Sequence, residues 1–98
     1  MKIIWTDESL KNIEAIVNYL NKKWGEKVTN EFLVKLRERS ILISKLPAAF
    51  TLINKEEQIR SSVLTKQTTI FFRVDYEARE IKILSVFDTR QDPDKLKL

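Results

Sequence analysis

Apolar residues in this chain keep a helical period between residues 10 and 45 and a period of two after it. Leu10, Ile13, Val17, Leu20 and Trp24 recur on one helical stripe, which Ile16 and Tyr19 widen; that pattern predicts an amphipathic helix. Thr6 or Asp7 stands where its N-cap belongs, and Glu8 and Glu14 lie toward its positive end. Gly25, the only glycine, follows Trp24 and predicts a left-handed C-cap at which the chain reverses. A second helix starts near Glu26 on Val28, Phe32, Leu36 and Ile43, supported by Leu33 and Leu42, with Lys35, Arg37, Glu38 and Arg39 on its polar sides. Pro47 disfavours helix at Leu46, so this helix ends close to Lys45. So short a connection makes the two helices an antiparallel hairpin.

The strands follow. Gln58 to Leu64 alternates Ile59, Ser61 and Val63 with Arg60, Ser62 and Leu64. After a turn at Thr65 to Gln67, Ile70, Phe72 and Val74 share one face, and Thr69, Phe71, Arg73 and Asp75 the other. Ile81 and Ile83 alternate with Lys82 before Leu84, Val86 and Phe87 thicken the apolar content. β-branched and aromatic residues at this period predict half-buried antiparallel strands. Tyr76 to Glu80 has the length of a hairpin loop, without the Asn-Gly pair that fixes a tight turn. Lys2 to Trp5 (KIIW) is a further short strand. Ala48 to Glu57 reads as a loop tacked to the core by Phe50, Leu52 and Ile53, and the tail DKLKL after Pro93 as frayed chain or one helical turn.

The resulting order is β-α-α-β-β-β. A helical hairpin with one apolar side and a sheet with one apolar face must bury them against each other. The predicted fold is therefore a two-layer α+β domain, a helical hairpin packed on a small antiparallel sheet, in a single domain over residues 1–98. The far face of the sheet stays open.

Composition narrows the chemistry. The chain carries 18 Lys and Arg against 14 Asp and Glu, a net charge of +4, which permits nucleic acid or an acidic protein as partner. It has no cysteine and no histidine. A disulfide framework, a thiolate metal site and a Ser–His or Cys–His pair are thereby excluded, and proton transfer would need a shifted Lys, Tyr or carboxylate. No glycine-rich phosphate loop and no metal-ligand cluster is present, and no cofactor is expected. The opening residues MKIIWTDESL meet acidic side chains at once, unlike a signal peptide or a membrane span, so a cytoplasmic protein is expected.

On this register Arg60, Arg73, Lys82 and Arg90 point to the open sheet face. Convergent guanidinium groups suit phosphate or carboxylate, because their planar fork donates two parallel hydrogen bonds. The alternative is that these cations solvate the face beside Asp75, Glu80 and Asp88. Phe71, Leu84 and Val86 fall on the same face and form either an apolar groove for a partner or the seat of loop 48–57 or the tail. Trp5 and Trp24 continue apolar patterns and read as core anchors. Glu56, Glu57, Asp92 and Asp94 read as solvated charge.

Taken together, the aromatic-ended first strand (IIW), Trp24 in a helical hairpin, Leu46–Pro47 after it, IRSSV, IFFRV and the closing IKILSVFDTRQDP resemble the RelE/ParE superfamily. These are the toxins of type II toxin–antitoxin modules, also called plasmid stabilisation proteins, and the resemblance covers essentially the whole chain. It implies a small antiparallel sheet carrying a helical hairpin. RelE-like members cut mRNA on the ribosome with Lys and Arg on the concave sheet face and a C-terminal Tyr or His. ParE-like members lack that set and inhibit DNA gyrase. Arg60 matches a basic position of the strand after the helices, and Arg90, within a residue or so, one after the last strand. Thr69, however, stands where RelE-like members tend to have Arg, and Phe87 and Asp88 follow Val86 with no aromatic in the tail. The resemblance is therefore to the ParE-like branch. It implies a growth-inhibiting toxin that binds its target, with ribosome-dependent mRNA cleavage through Arg60, Arg73, Lys82 and Arg90 as the alternative. It also implies neutralisation by a cognate antitoxin whose segment orders on the toxin, any oligomer forming through that antitoxin. Arg60, Arg73 and Arg90 would meet its acidic residues, and Phe71, Leu84 and Val86 its apolar ones.

Overall fold

The structure, a computed structural model, describes residues 1–90. Its elements run β1 (Lys2–Trp5), α1 (Asp7–Trp24), α2 (Glu26–Lys45), a 3-10 turn (Pro47–Ala49), β2 (Thr51–Asn54), β3 (Ile59–Val63), β4 (Thr68–Asp75) and β5 (Glu80–Asp88). The expected turn in the tail, and Asp92 and Asp94, lie outside the described residues.

Thr6 caps α1 as the sequence suggests: its Oγ1 accepts the Ser9 N–H at 3.2 Å. The same hydroxyl donates to the Ile83 carbonyl at 2.6 Å, so the cap also fastens the helix start to β5. Gly25 alone separates the helices. Its φ of 88° is positive, as a glycine cap requires, but its ψ of −176° places it in an extended region open to little besides glycine rather than in the left-handed helical one. Its N–H reaches the carbonyls of Leu20 and Asn21 at 3.1 Å. The Thr29 hydroxyl bonds the Asn21 side chain at 2.8 Å and locks the reversal from the α2 side. α2 ends at Lys45, one residue before the Leu46–Pro47 pair that forbids its continuation.

The sheet has the order β1-β5-β4-β3-β2. β2 to β5 are antiparallel, and β1 joins β5 in parallel, so the sheet is mixed at one edge. β2 corrects the loop expected over residues 48–57: Thr51 and Leu52 pair with Ser61 and Arg60. Its four residues are all exposed, which is why no alternation marks it as a strand. Phe50 does tack this segment down, meeting the Phe72 ring edge-on at 5.9 Å.

The core lies between the hairpin and the sheet. Ile16, Leu20, Phe32, Leu36 and Ile43 from the helices meet Ile70, Phe72, Val74, Ile81, Ile83 and Val86 from β4 and β5. Burying each such side chain contributes roughly 1.5–3 kcal/mol, so this layer contact dominates the favourable side. Polar ties fix its alignment. Arg39 of α2 donates to Ser62 Oγ and the Val63 carbonyl at 2.7 and 2.8 Å, and Asn12 of α1 accepts from Ser85 and Val86 of β5. No helix among the described residues is long and apolar enough to cross a membrane.

Candidate functional site

The sheet face away from the helices carries part of the expected site. Arg73 and Lys82 sit directly across β4 and β5 from each other, with Ile4 of β1 beside Lys82 and Ile59 of β3 beside Arg73. Glu57 holds Arg73 through an ion pair of 3.3 Å, in line with the reading of this face as charge-solvated. Phe71 and Leu84, both half-buried, follow along the same face. The result is a shallow surface with two cations and a short apolar row.

Val86 is not part of it. A bulge breaks the β4–β5 register: Phe72 faces Ile83, Phe71 faces Ser85 and Ile70 faces Val86. Ser85 and Val86 therefore both turn inward, and Val86 is fully buried in the core. The strict alternation that put Val86 beside Leu84 fails by one residue.

Arg60 is not part of it either. It pairs across β3 and β4 with Phe72 and across β2 with Leu52, which sets it on the helix side of the sheet. Its guanidinium donates to the Phe50 carbonyl at 2.7 Å, and its Nε is buried without a hydrogen-bond partner. Arg60 thus props the chain between α2 and β2. Ile59, its neighbour, takes the uncovered face while remaining buried and outside the main core.

Arg90 lies at the far end of β5, against α1. Its Nε donates to Asp88 Oδ1 at 2.8 Å while its Nη2 grips Asp88 Oδ2, and its guanidinium lies 4.8 Å from the centre of the Tyr19 ring. Burial pushes the Asp88 carboxyl up, but hydrogen bonds from the Arg90 side chain and backbone, its charge and the Thr68 hydroxyl outweigh this and hold it below the ordinary carboxylate value. The four cations read as one cluster thus occupy three places: Arg73 with Lys82, Arg60 under the β2 edge, and Arg90 on Tyr19.

A second concavity was not legible as a site in the sequence. Between the tip of the helical hairpin and the β3–β4 turn lies a cavity of about 280 Å³, bounded by Trp24, Phe32, Lys35, Gln67 and Arg90 among others. Trp24 is 59% exposed, which corrects its reading as a core anchor; it sits at the last position of α1, past the point where the hairpin meets the sheet. Trp5 does pack against the core.

Residues 3–93 match the family model described as ParE toxin of type II toxin-antitoxin system, parDE. No curated protein matches the chain. Among solved structures, the chain shares its fold with one titled "Chromosomal ParDE TA system from P. aeruginosa", with a TM-score of 0.74 and 18% identity over 90% of this chain and 95% of that one. Another, "YoeB/ParE toxin from Agrobacterium tumefaciens", has a TM-score of 0.65 and 14% identity over 90% of this chain and 98% of that one. The chain belongs to the ParE toxins of type II toxin–antitoxin systems.

Proposed function

We propose that the protein stops growth by binding a macromolecular target of the DNA gyrase kind, in the cytoplasm, and that a cognate antitoxin neutralises it. The observation that carries the binding reading is the separation of Arg60, Arg73 with Lys82, and Arg90 into three places. Cleaving a phosphodiester with cations alone requires them to converge on one developing charge, and only Arg73 and Lys82 are adjacent. The chain also contains no histidine to move a proton near neutral pH. Purified toxin should inhibit supercoiling by gyrase, and inducing it without its antitoxin should arrest growth. Codon-positioned cuts in transcripts with supercoiling intact would overturn this reading in favour of ribosome-dependent mRNA cleavage, for which the Arg73–Lys82 pair is the supporting feature.

For the antitoxin, the supporting surface is the sheet face away from the helices, with both edges of the sheet unpaired among the described residues. Phe71 and Leu84 offer apolar contact, Arg73 and Lys82 offer charge to an acidic segment, and β2 leaves an unpaired edge to which a strand can add. Any larger assembly forms through the antitoxin.

A further inference from the structure

The cavity at the hairpin tip has a composition that neither the core nor the uncovered sheet face explains. Its floor is apolar, from Leu20, Val28 and Phe32. Its wall is the Trp24 indole, the most exposed aromatic ring among the described residues. At a concave surface, so large an exposed ring offers a flat face on which a ligand can stack.

Lys35 lines the cavity, while the Lys23 ammonium is already engaged over the Trp24 ring at 5.8 Å and the Tyr19 ring at 5.7 Å. Arg90 is engaged by Asp88, but among the described residues neither Lys23 nor Lys35 has an ion-pair partner. The side-chain amide of Gln67 likewise makes no hydrogen bond there. A free amide can both donate and accept, and the Glu31 carboxylate, which also lines the cavity, accepts.

We propose that this cavity is a nucleotide site, with a base stacked on Trp24, its edge on Gln67 and Glu31, and its phosphate on Lys35. An apolar floor alone would take an aliphatic side chain, and a lysine alone any anion. A π-face, an amide, a carboxylate and an ammonium group together select a planar heterocycle that carries a phosphate. Glu31 works against an acidic peptide in the same place but suits the amino group of a base. The nucleotide can be a free mononucleotide or one unit of a single strand, since both present a base and a phosphate. This site is separate from the sheet face assigned to the antitoxin.

Tryptophan fluorescence of the purified full chain tests it, because Trp24 is exposed while Trp5 is packed against the core. Four probes are titrated: adenosine monophosphate, guanosine monophosphate, a short single-stranded oligonucleotide, and polyglutamate. The expected result is saturable quenching by a monophosphate, which identifies free nucleotide, or by the oligonucleotide alone, which identifies a strand. Lys35→Glu should weaken that binding by about tenfold, and Trp24→Leu, followed by calorimetry, by a similar factor. Lys35→Gln and an unchanged melting temperature in each variant separate lost binding from lost fold. The proposal is overturned if neither nucleotide probe saturates, if Lys35→Glu leaves binding unchanged, or if polyglutamate binds as tightly.

Discussion

Asn12 Oδ1 accepts the Val86 N–H at 3.0 Å and the Ser85 hydroxyl at 3.2 Å. One side chain of α1 thereby holds the two residues that follow the unpaired Leu84 of the β5 bulge and fixes the register that buries Val86. Asn12→Ala leaves the Val86 N–H without that acceptor, at a cost of about 1–3 kcal/mol. Urea denaturation should show the loss as a lowered midpoint with an unchanged slope. A variant as stable as the parent would mean that core packing alone sets the bulge.

Gly25→Ala isolates backbone strain from packing. A Cβ at this position would meet nothing within 4 Å, so any cost comes from holding an alanine at a φ of 88° and a ψ of −176°. That cost is about 1–3 kcal/mol. Thermal unfolding should record it as a lower Tm, with the helical signal of the folded state retained.

Asp88 makes stability depend on acid. Its folded-state pKa lies below the ordinary value of 3.8, so its contribution is fully present above that pH and is lost as pH falls through the folded value. The parent protein should therefore lose stability more steeply below about pH 4 than Asp88→Asn, which gives up the Arg90 pair at every pH. Parallel Tm-versus-pH curves for the two proteins would dismiss the pair as the cause.

On the uncovered face, Leu84→Asp should weaken antitoxin binding more than Arg73→Ala does. The first buries an unpaired charge in the proposed contact, whereas the second removes a cation at a rim where Glu57 already competes for it. Titration of both variants with the antitoxin decides the order. Arg90→Ala is the poorer comparison, because it also strands the buried Asp88 carboxylate.

The hairpin, both helix ends and the inward faces of β4 and the first half of β5 were legible, because each rests on a local rule: period, cap, or proline after a helix. The site was less so. Alternation assigns faces only while the count is unbroken, and one extra residue at Leu84 moved Val86 from surface to core. Arg60 was misplaced for a related reason. Ile59 looks like a core residue and is buried, yet it lies across from Arg73 on the sheet face away from the helices, and reading it as helix-facing put its neighbour on the wrong face. Trp24 continues the stripe of α1 in spacing but stands at the last position of the helix, where it is exposed. None of these turns on a propensity; each depends on where a neighbouring element stops.

The parallel pairing of β1 with β5 joins residues 2–5 to residues 80–83, almost the full length of the chain apart. During synthesis β1 is made before β5, and it has nothing to dock on until β5 follows. The helical hairpin can form early from local contacts, whereas the sheet closes only at the end, across the longest loop available to it. A nascent copy thus keeps an unpaired first strand and an uncovered hairpin face until residues 80–83 are made.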